Sequence, residues 1–327
     1  MDLIIKPTQA CNFKCDFCSS NKIDSGGNTL SLESVFALLT KYDINTIIVN
    51  GGDPLMMPPD YYEQILTFIE RQNKKTTLSL TTNLWDFYVN PDKWTALFNH
   101  PLVGIATSFQ YGTERKLRNG TVFTENLFRK VISLFKERIG YTPMFISVLT
   151  KNNENYVIKT VELAKELNTT CKINPAVKSG RTSECYPLWK AYEAYLKIIE
   201  AGLAEYEFNA NIIKDVLSGN RIVCPFSRNC WKMIRAIGPN GIMHSCGSFN
   251  DDYLTNLELG KKTYALHEYD EKELLLDHKA LKNECFSCDL FMLCNGCFKQ
   301  MHDIIEDNQV EEHCKHMKNM LVQFQNL

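Results

Sequence analysis

The spacing of cysteine constrains this chain more than any other feature of its sequence. The 327 residues include 13 cysteines: Cys11, Cys15 and Cys18 form one group, and eight more lie between Cys224 and Cys314. Disulfides are rare in reducing compartments and an odd number of thiols cannot all pair, so clusters of this kind are typical of metal ligands. The sequence therefore predicts a cytoplasmic protein that binds metal through cysteine.

Charge and hydropathy exclude several classes of partner. The 36 Lys and Arg residues nearly balance the 38 Asp and Glu residues, for a net charge of -2, so a nucleic-acid partner is not indicated. No apolar run approaches the ~18 residues that a membrane span needs. The first ten residues, MDLIIKPTQA, contain only three consecutive apolar residues and lack the apolar core of a signal peptide. We therefore expect no membrane partner.

Short apolar strands alternate with amphipathic helical segments over the first half of the chain. Runs rich in Ile, Val, Leu and Thr are typical of buried parallel strands, and the helices between them predict repeated βα units. Six units are too few for a closed eight-stranded barrel, so the predicted fold class is α/β, a partial (β/α)6 barrel of the TIM type. The predicted strands are Leu3–Lys6, Thr46–Asn50, Thr77–Thr81, Leu102–Ser108, Met144–Thr150 and Cys171–Asn174. The predicted helices between them are Leu32–Thr40, Tyr61–Gln72, Asp92–Phe98, Glu125–Lys136 and Asn155–Leu167.

The chain divides into three predicted regions. Residues 1–185 form the partial barrel, residues 186–220 a helical bridge, and residues 221–327 an irregular, cysteine-rich C-terminal domain. Within the last region, MIRAIGPNGIMHSC predicts a hairpin that turns at Pro239-Asn240-Gly241. The tail after Cys314 predicts one short helix.

The first cysteine group has the spacing Cys-x3-Cys-x2-Cys, from Cys11 to Cys18. Three thiolates on one short loop can hold three irons of a [4Fe–4S] cluster, which leaves the fourth iron open to a small ligand. A zinc site and three unrelated thiols are the alternatives. Structural zinc takes four protein ligands and no fourth is near in the sequence, so the spacing favours the cluster.

This triplet resembles the signature of the radical S-adenosylmethionine (SAM) superfamily, including the aromatic Phe17 before the last cysteine. After the second predicted strand, Gly51-Gly52-Asp53-Pro54 resembles the GGEP motif of that family, with Asp53 in place of glutamate. Glycines at this point would let the backbone approach the amino group of the methionine moiety. Alone, the tetrapeptide is equally typical of a generic turn, but at a strand end after the triplet the resemblance implies a SAM contact.

Further candidate SAM contacts follow the later strands. Thr81-Thr82-Asn83 resembles the TNG segment of the family, and Ser108 stands where the family often has a serine that contacts the ribose. Each of these residues is also an ordinary strand-end turn residue. They are informative together, because sites in parallel βα barrels assemble at the C-terminal ends of the strands. The candidates are Thr82, Asn83, Ser108, Gln110, Asn152 (with Asn153 as the alternative) and Arg181.

The resemblance also implies a chemistry. SAM chelates the open iron through its amino and carboxylate groups, and the reduced cluster gives one electron to the sulfonium. The C–S bond then breaks, and the resulting 5'-deoxyadenosyl radical abstracts a hydrogen atom from the substrate. The cofactors carry this hard step, while the protein positions the reactants and excludes water.

The second cysteine group resembles the SPASM domain, a C-terminal extension of radical SAM enzymes, many of which modify peptides. By that resemblance, one auxiliary [4Fe–4S] cluster takes Cys224, Cys230, Cys246 and Cys297, and the other takes Cys285, Cys288, Cys294 and Cys314. Structural zinc is the alternative, since Cys-x2-Cys pairs are common in zinc ribbons. The expected cofactors are therefore three [4Fe–4S] clusters and SAM.

Two cysteines remain outside these sets. Cys171 lies on a predicted strand and is expected in the core. Cys185 lies in a loop near the expected mouth of the barrel. It is a candidate catalytic residue, because thiols donate hydrogen atoms in some radical peptide epimerases, and an incidental loop cysteine is the alternative.

The resemblance favours an enzyme that oxidatively modifies a ribosomally synthesised peptide by a thioether, C–C or C–O cross-link. Many such enzymes carry an N-terminal leader-binding domain, which is not expected here because the triplet begins at residue 11. Leader binding would then need a separate protein or the surface of the C-terminal domain. A low-potential electron donor of the flavodoxin or ferredoxin type is the other expected partner.

Three other functions stay open. An anaerobic sulfatase maturase, which makes formylglycine, fits the cysteine spacing, but such enzymes have an Asp close after the equivalent of Cys246, where this chain has Gly247. A radical SAM dehydrogenase acting on a small molecule is the second. A metal-binding module without catalysis is the third, and metal content together with SAM cleavage would separate it from an enzyme.

Overall fold

The computed structural model describes residues 1–20, 28–183, 185–218, 234–244, 247, 290, 300, 303–304 and 306–326. Parallel strands alternate with helices, as the apolar pattern predicts. The strands are β1 (Asp2–Ile5), β2 (Thr46–Val49), β3 (Thr77–Thr81), β4 (Val103–Ser108), β5 (Phe145–Leu149), β6 (Cys171–Pro175), β7 (Ile234–Ile237) and β8 (Met243–His244). The helices are α1 (Leu32–Lys41), α2 (Pro59–Arg71), α3 (Trp85–Val89), α4 (Pro91–Phe98), α5 (Glu125–Ile139), α6 (Val157–Glu166), α7 (Leu188–Glu200), α8 (Phe208–Leu217) and α9 (Val310–Gln325).

All eight strands belong to one sheet, in the order β6-β5-β4-β3-β2-β1-β7-β8. Every pairing is parallel except that of β7 with β8. This confirms the predicted α/β partial barrel, and each of the six predicted strands is found within two residues of its expected bounds. In such a sheet the C-terminal ends of all the parallel strands lie at one edge, where sites assemble.

The predicted hairpin contributes more than expected. Its first strand, β7, pairs in parallel with β1, from Asp2 opposite Ile234 to Ile5 opposite Ile237, so the sheet has seven parallel strands rather than six. Gly241 makes the turn with a φ of +73°, a value that glycine adopts without strain. Strand β7 covers the backbone groups that β1 would otherwise expose at the edge of the barrel.

The opposite edge, at β6, is covered by side chains. The buried Glu207 carboxylate accepts a hydrogen bond from the backbone N–H of Ile173 (2.7 Å) and another from that of Ala210 (2.5 Å). The carbonyl of Ile173 accepts hydrogen bonds from Tyr195 and Asn209. Burial raises the pKa of Glu207 to about 7, although these donors favour its ionised form.

One helix, α3, is absent from the sequence prediction. It has five residues and follows Leu84, which has a left-handed φ of +60°. Tertiary contacts stabilise it: the Asp86 carboxylate accepts from the Trp94 indole (2.8 Å), and the Phe87 ring packs on Phe98 and Phe135. Since a helix this short is marginal in isolation, the apolar period alone does not predict it.

None of the helices in the described ranges is both long and apolar enough to cross a bilayer.

Candidate functional site

The three cysteines of the first group lie on one loop, residues 11–18, beyond the C-terminal end of β1. Cys11 and Cys15 are buried and Cys18 is half-buried. The backbone N–H of Phe13 donates to Cys11 Sγ (3.3 Å), and that of Ser20 donates to Cys18 Sγ (3.4 Å). Burial raises the pKa of Cys11 above its usual range, and charge repulsion from Asp53 and from the thiolate forms of Cys15 and Cys18 raises it further. A bound cation would reverse this balance, because a coordinating thiol is deprotonated outright.

The loop residues fit an iron–sulfur cluster by the chemistry of their donors. Three thiols from one short loop, with backbone N–H groups directed at two of the sulfurs, are the ligand set and the hydrogen bonding that such clusters use. Within the described ranges, no group of three or more His, Cys, Asp or Glu side chains is gathered closely enough to hold a metal ion. Metal binding and the ordering of a ligand loop are coupled, so the chain alone need not hold the sulfurs at ligation distance.

The first half of this loop is held by the segment that follows β4. The N–H of Lys14 donates to the carbonyl of Lys116 (2.7 Å), and that of Asp16 donates to Glu114 (2.9 Å). Arg118 completes the pairing, with its N–H on the carbonyl of Asn12 and its Nε on that of Cys11. Residues 11–16 are thus held as an irregular antiparallel strand would be.

The second half is held by the turn that follows β6. Ser179 Oγ donates to the carbonyl of Ser19 (3.1 Å), the N–H of Arg181 to that of Cys18 (2.9 Å), and Thr182 Oγ1 to that of Phe17 (3.1 Å). Gly180 has a φ of +62°, and a Cβ there would lie 2.3 Å from the carbonyl carbon of Ser19. Only a glycine lets this turn come so close, and Arg181, predicted as a SAM contact, is held through its backbone against the cysteine loop.

The Gly51-Gly52 pair lies directly against the chain that leads into the cysteines. A Cβ on Gly51 would meet the carbonyl oxygen of Thr8 at 2.5 Å, and one on Gly52 would meet that of Ala10 at 2.1 Å. The N–H of Gly52 donates to the Thr8 carbonyl, and that of Asp53 to the Ala10 carbonyl. The glycines therefore serve the packing of two loops of this chain, a role that the sequence resemblance did not suggest.

Asp53 is buried and accepts hydrogen bonds from within the protein. Its carboxylate accepts from Thr82 Oγ1 (2.9 Å), from the N–H of Asn83 (2.7 Å) and from the N–H of Leu55 (2.9 Å). Burial raises its pKa to about 6, against the opposing effect of these donors. Asp53 thus joins the loop after β2 to the loop after β3, and Pro54 begins the short 3-10 helix that follows it.

Asn83 connects this pair of loops to the cysteines. Its Nδ2 donates to Asn12 Oδ1 (2.7 Å) and lies 3.8 Å from Cys11 Sγ. Its Oδ1 accepts from the N–H of Trp85. Two of the sequence candidates, Thr82 and Asn83, are therefore brought next to the cysteine loop by the same carboxylate.

At the end of β4, Ser108 binds an arginine that sequence reasoning missed, and Gln110 accepts a hydrogen bond from the N–H of Val148 (3.3 Å). Arg115 is only 6% exposed, donates from Nη1 to Ser108 Oγ (2.9 Å), and lies over the ring of Phe17 at 5.2 Å. Its Nε and the Nε2 of the 1% exposed Gln110 are buried without a hydrogen-bond partner among the described residues. A buried guanidinium with a donor to spare is prepared to bind an oxygen acceptor of a ligand.

A second missed residue, Glu114, organises the end of β5. Its carboxylate accepts from Thr150 Oγ1 (2.6 Å) and from Asn152 Nδ2 (2.9 Å). Asn153, the alternative to Asn152, instead donates to the carbonyl of Val148 and is buried. The signal that could have identified Glu114 and Arg115 is a run of charged residues, Glu-Arg-Lys, that begins six residues after a predicted strand end at Ser108.

Cys185 follows the turn after β6 and contacts the segment just before α9. Its Sγ is 3.4 Å from Asp307 Oδ2 and 3.9 Å from Gln309 Oε1. Burial raises its pKa to about 12, and the charges of Asp303 and Asp307 add to the effect. The thiol is therefore protonated at neutral pH and directed at the C-terminal segment; its catalytic role stays a prediction. Cys171 is fully buried on β6, as predicted.

Most of the second cysteine group lies outside the described residues: Cys224, Cys230, Cys246, Cys285, Cys288, Cys294 and Cys297. Cys314 is described, half-buried on α9. Helix α9 packs on α7, where the rings of Trp189 and His316 stack at 3.7 Å. The domain bounds and the assignment of ligands to two auxiliary clusters stay predictions.

Comparison with known proteins agrees with this architecture. Residues 5–164 match the model of the Radical SAM superfamily. A cysteine-type anaerobic sulfatase-maturating enzyme of Clostridium perfringens is 22% identical over 363 residues, covering 95% of this chain and 92% of that protein.

Two solved structures have the same fold. The structure of anSMEcpe with bound AdoMet and a peptide is 17% identical, with a TM-score of 0.67 and coverage of 99% of this chain and 98% of that one. Streptococcus suis SuiB bound to its precursor peptide SuiA is 16% identical, with a TM-score of 0.59 and coverage of 91% and 71%.

Proposed function

Because this chain is a radical SAM enzyme, we propose that it oxidatively modifies a ribosomally synthesised peptide, forming a thioether, C–C or C–O cross-link. The observation that carries the proposal is the convergence of four strand-end loops on one cysteine loop. The loops after β2, β4 and β6 hydrogen-bond to residues 8–19, and the loop after β3 reaches Cys11 through Asn83. A peptide substrate is supported by the peptides in the names of the related structures.

Cys11, Cys15 and Cys18 would hold the SAM-binding cluster. Phe17, Gly51, Gly52, Asp53, Pro54, Thr82, Asn83, Ser108, Gln110, Asn152 and Arg181 are the proposed SAM-binding residues, and Arg115 joins them. When bound, the cluster and SAM supply the 5'-deoxyadenosyl radical, and two auxiliary clusters on the C-terminal cysteines supply an electron acceptor.

The chain's own contribution is positioning. The Nε of Arg115 and the Nε2 of Gln110 are donors without a protein acceptor in the described ranges, so they would orient polar groups of SAM at the ends of β4 and β5. Asp53 fixes the loops after β2 and β3 through three accepted hydrogen bonds. Groups held in this way lose little further entropy when the reactants bind.

The remaining partners follow from the chemistry. A cross-link removes two hydrogens from the peptide: one leaves as an atom, the other as a proton and an electron. A low-potential donor of the flavodoxin or ferredoxin type would deliver the electron that starts each cycle, and a separate protein could bind the leader peptide. The many free thiols fit a reducing compartment, the cytoplasm.

A sulfatase maturase is the second candidate, favoured by the relative that covers 95% of this chain. Position 247 argues against it. A Cβ on Gly247 would lie 3.2 Å from Ile4 Cγ2, so a larger side chain there would press on β1. The sequence itself has glycine directly after Cys246, so no carboxylate is present at that position to act as a general base.

Intact mass tests the proposal. The chain is co-expressed anaerobically with a short reading frame encoded beside it, and the peptide is weighed. We expect the loss of two hydrogens with the wild-type chain and no loss with Cys15→Ala, which should also make no 5'-deoxyadenosine. A wild-type rate of 5'-deoxyadenosine formation by Cys15→Ala would contradict the cluster assignment. An unchanged peptide mass, with formylglycine appearing on a co-expressed sulfatase, would favour the second candidate.

A further inference from the structure

One turn of the chain contacts both cysteine-bearing regions. The strap, which we define as residues 178–183 and 185, follows β6 and has two sides. On one side, Ser179, Arg181 and Thr182 bind the carbonyls of Ser19, Cys18 and Phe17. The other side contacts a segment more than a hundred residues further along the chain, just before α9.

The contacts on that second side converge on two acidic residues. Lys178 donates from Nζ to Asp307 Oδ1 at 2.6 Å and from its backbone N–H to Asp303 Oδ2 at 2.9 Å. Cys185 donates to Asp307 Oδ2 from its N–H and from its Sγ, both at 3.4 Å. The two ends of the strap, Lys178 and Cys185, are therefore held by the same carboxylate.

Asp307 is well placed to act as an anchor. Its side chain is 14% exposed, so its pairing with Lys178 is partly shielded from water. The carboxylate lies in a helical turn, in which the N–H of Asp307 donates to the carbonyl of Asp303. That turn leads through Gln309, the N-cap residue, directly into α9 and so to Cys314.

We propose that Asp307 is a positioning residue: it holds the strap against the second half of the cysteine loop, and so couples the position of Cys18 to the segment that carries Cys314. The inference rests on the proposed function only in taking residues 11–18 as the cluster loop. The first half is bound mainly by residues 114–118, in the loop that follows β4, and the strap reaches it through Arg181 Nη1, which lies 3.5 Å from the carbonyl oxygen of Cys15.

Amide hydrogen exchange with residue-level mass spectrometry tests this on the full chain, purified anaerobically. In Asp307→Asn the amide of Arg181, which donates to Cys18, should exchange roughly tenfold faster, the size expected when a charge-assisted hydrogen bond becomes a neutral one. The amides of Lys14 and Asp16 should be unchanged, because they bind residues 114–116. The matched control is Glu306→Gln, a neighbouring carboxylate only 3.6 Å from Lys178 and 42% exposed.

Lysine variants guard against a folding defect. If Asp307→Asn also speeds exchange at Lys14 and Asp16, the same contact is broken from its other side with Lys178→Met. This variant should speed exchange at Arg181, and Lys178→Arg should keep it slow. Equal exchange at Arg181 in the wild type, Asp307→Asn and Lys178→Met would overturn the proposal. The measurement does not require SAM cleavage, so a wild-type chain that makes no 5'-deoxyadenosine would contradict the proposed function and leave this result intact.

Discussion

The two halves of the cysteine loop are held in different ways. Residues 11–16 form backbone hydrogen bonds to residues 114–118, in the loop that joins β4 to α5. Residues 17–19 are held by two side-chain hydroxyls and one backbone N–H of a turn that in turn depends on Asp303 and Asp307. The first half is therefore held by a loop of the barrel domain, while the second depends on contacts with the C-terminal segment.

The two halves of the loop are therefore expected to open with different ease. A segment held by several backbone hydrogen bonds opens at a higher free energy than a turn held by a few side chains. The first half of the loop, with Cys11, is thus the part whose position is more firmly fixed. The exit, with Cys18, is the part that substitutions elsewhere can move.

The largest expected effect comes from adding a Cβ to the glycines that make close backbone contacts near the two ends of the cysteine loop. In Gly52→Ala the new Cβ would lie 2.1 Å from the Ala10 oxygen, between two loops fixed to the barrel. We expect a loss of about 2–3 kcal/mol in the free energy of unfolding, the usual size for overpacking. In Gly180→Ala the φ of +62° and the contact with Ser19 should displace the strap locally, at a global cost of about 1–2 kcal/mol.

Denaturant melts of both variants check this, with Gly104→Ala as the control, since a Cβ there meets nothing within 4 Å. The control should change stability by no more than about 0.5 kcal/mol. A larger global loss in Gly180→Ala than in Gly52→Ala would reverse the comparison of the two halves.

A comparable effect, confined to a window of pH, is expected from the titration of Asp53. Burial raises its pKa from an ordinary 3.8 to about 6, so the fold binds its proton more tightly than the unfolded chain does. The stabilisation is full below about pH 4 and is lost as pH rises through 6, by up to about 3 kcal/mol. The stability of wild type relative to Asp53→Asn should therefore fall between pH 4 and pH 7, as measured by urea melts.

Glu207→Gln is the matched control for Asp53, because Glu207 is also a buried carboxyl with a raised pKa but lies at the edge of β6. Both substitutions should remove pH dependence of stability. Only Asp53→Asn should also speed exchange at amides of the first half of the loop. The same acceleration in Glu207→Gln would show that this half does not depend specifically on Asp53.

The smallest effect is expected from a surface ion pair on the first half. Lys116 Nζ lies 2.6 Å from Asp16 Oδ2, but both side chains are about a third to a half exposed. Lys116→Met should cost no more than about 0.5 kcal/mol and should lose even that in high salt. The backbone hydrogen bond from Lys14 to the Lys116 carbonyl survives the substitution, so a loss of several kcal/mol in thermal or urea melts would mean that side chains, not backbone pairing, hold this half.

Much of the fold and part of the site could be predicted from the sequence. The βα alternation, six strand positions and the cysteine triplet depend on local spacing, which a chain carries before it folds. The same holds for the turn at Gly241, and for the placement of Thr82, Ser108 and Asn152 at or just beyond strand ends. Periodicity says less about short elements such as α3, whose formation depends on packing from α4 and α5.

The sequence by itself determined the cysteine spacing, the strands and the edge of the sheet at which the candidate residues gather. Only the tertiary structure decided which residues meet there. The pairing of β7 with β1, the inward turn of Asp53, the placement of Arg115 over Phe17 and the link from Lys178 to Asp307 join segments tens to hundreds of residues apart. Such contacts form because burial and hydrogen-bond satisfaction are decided by the whole packed molecule, and no local pattern records them.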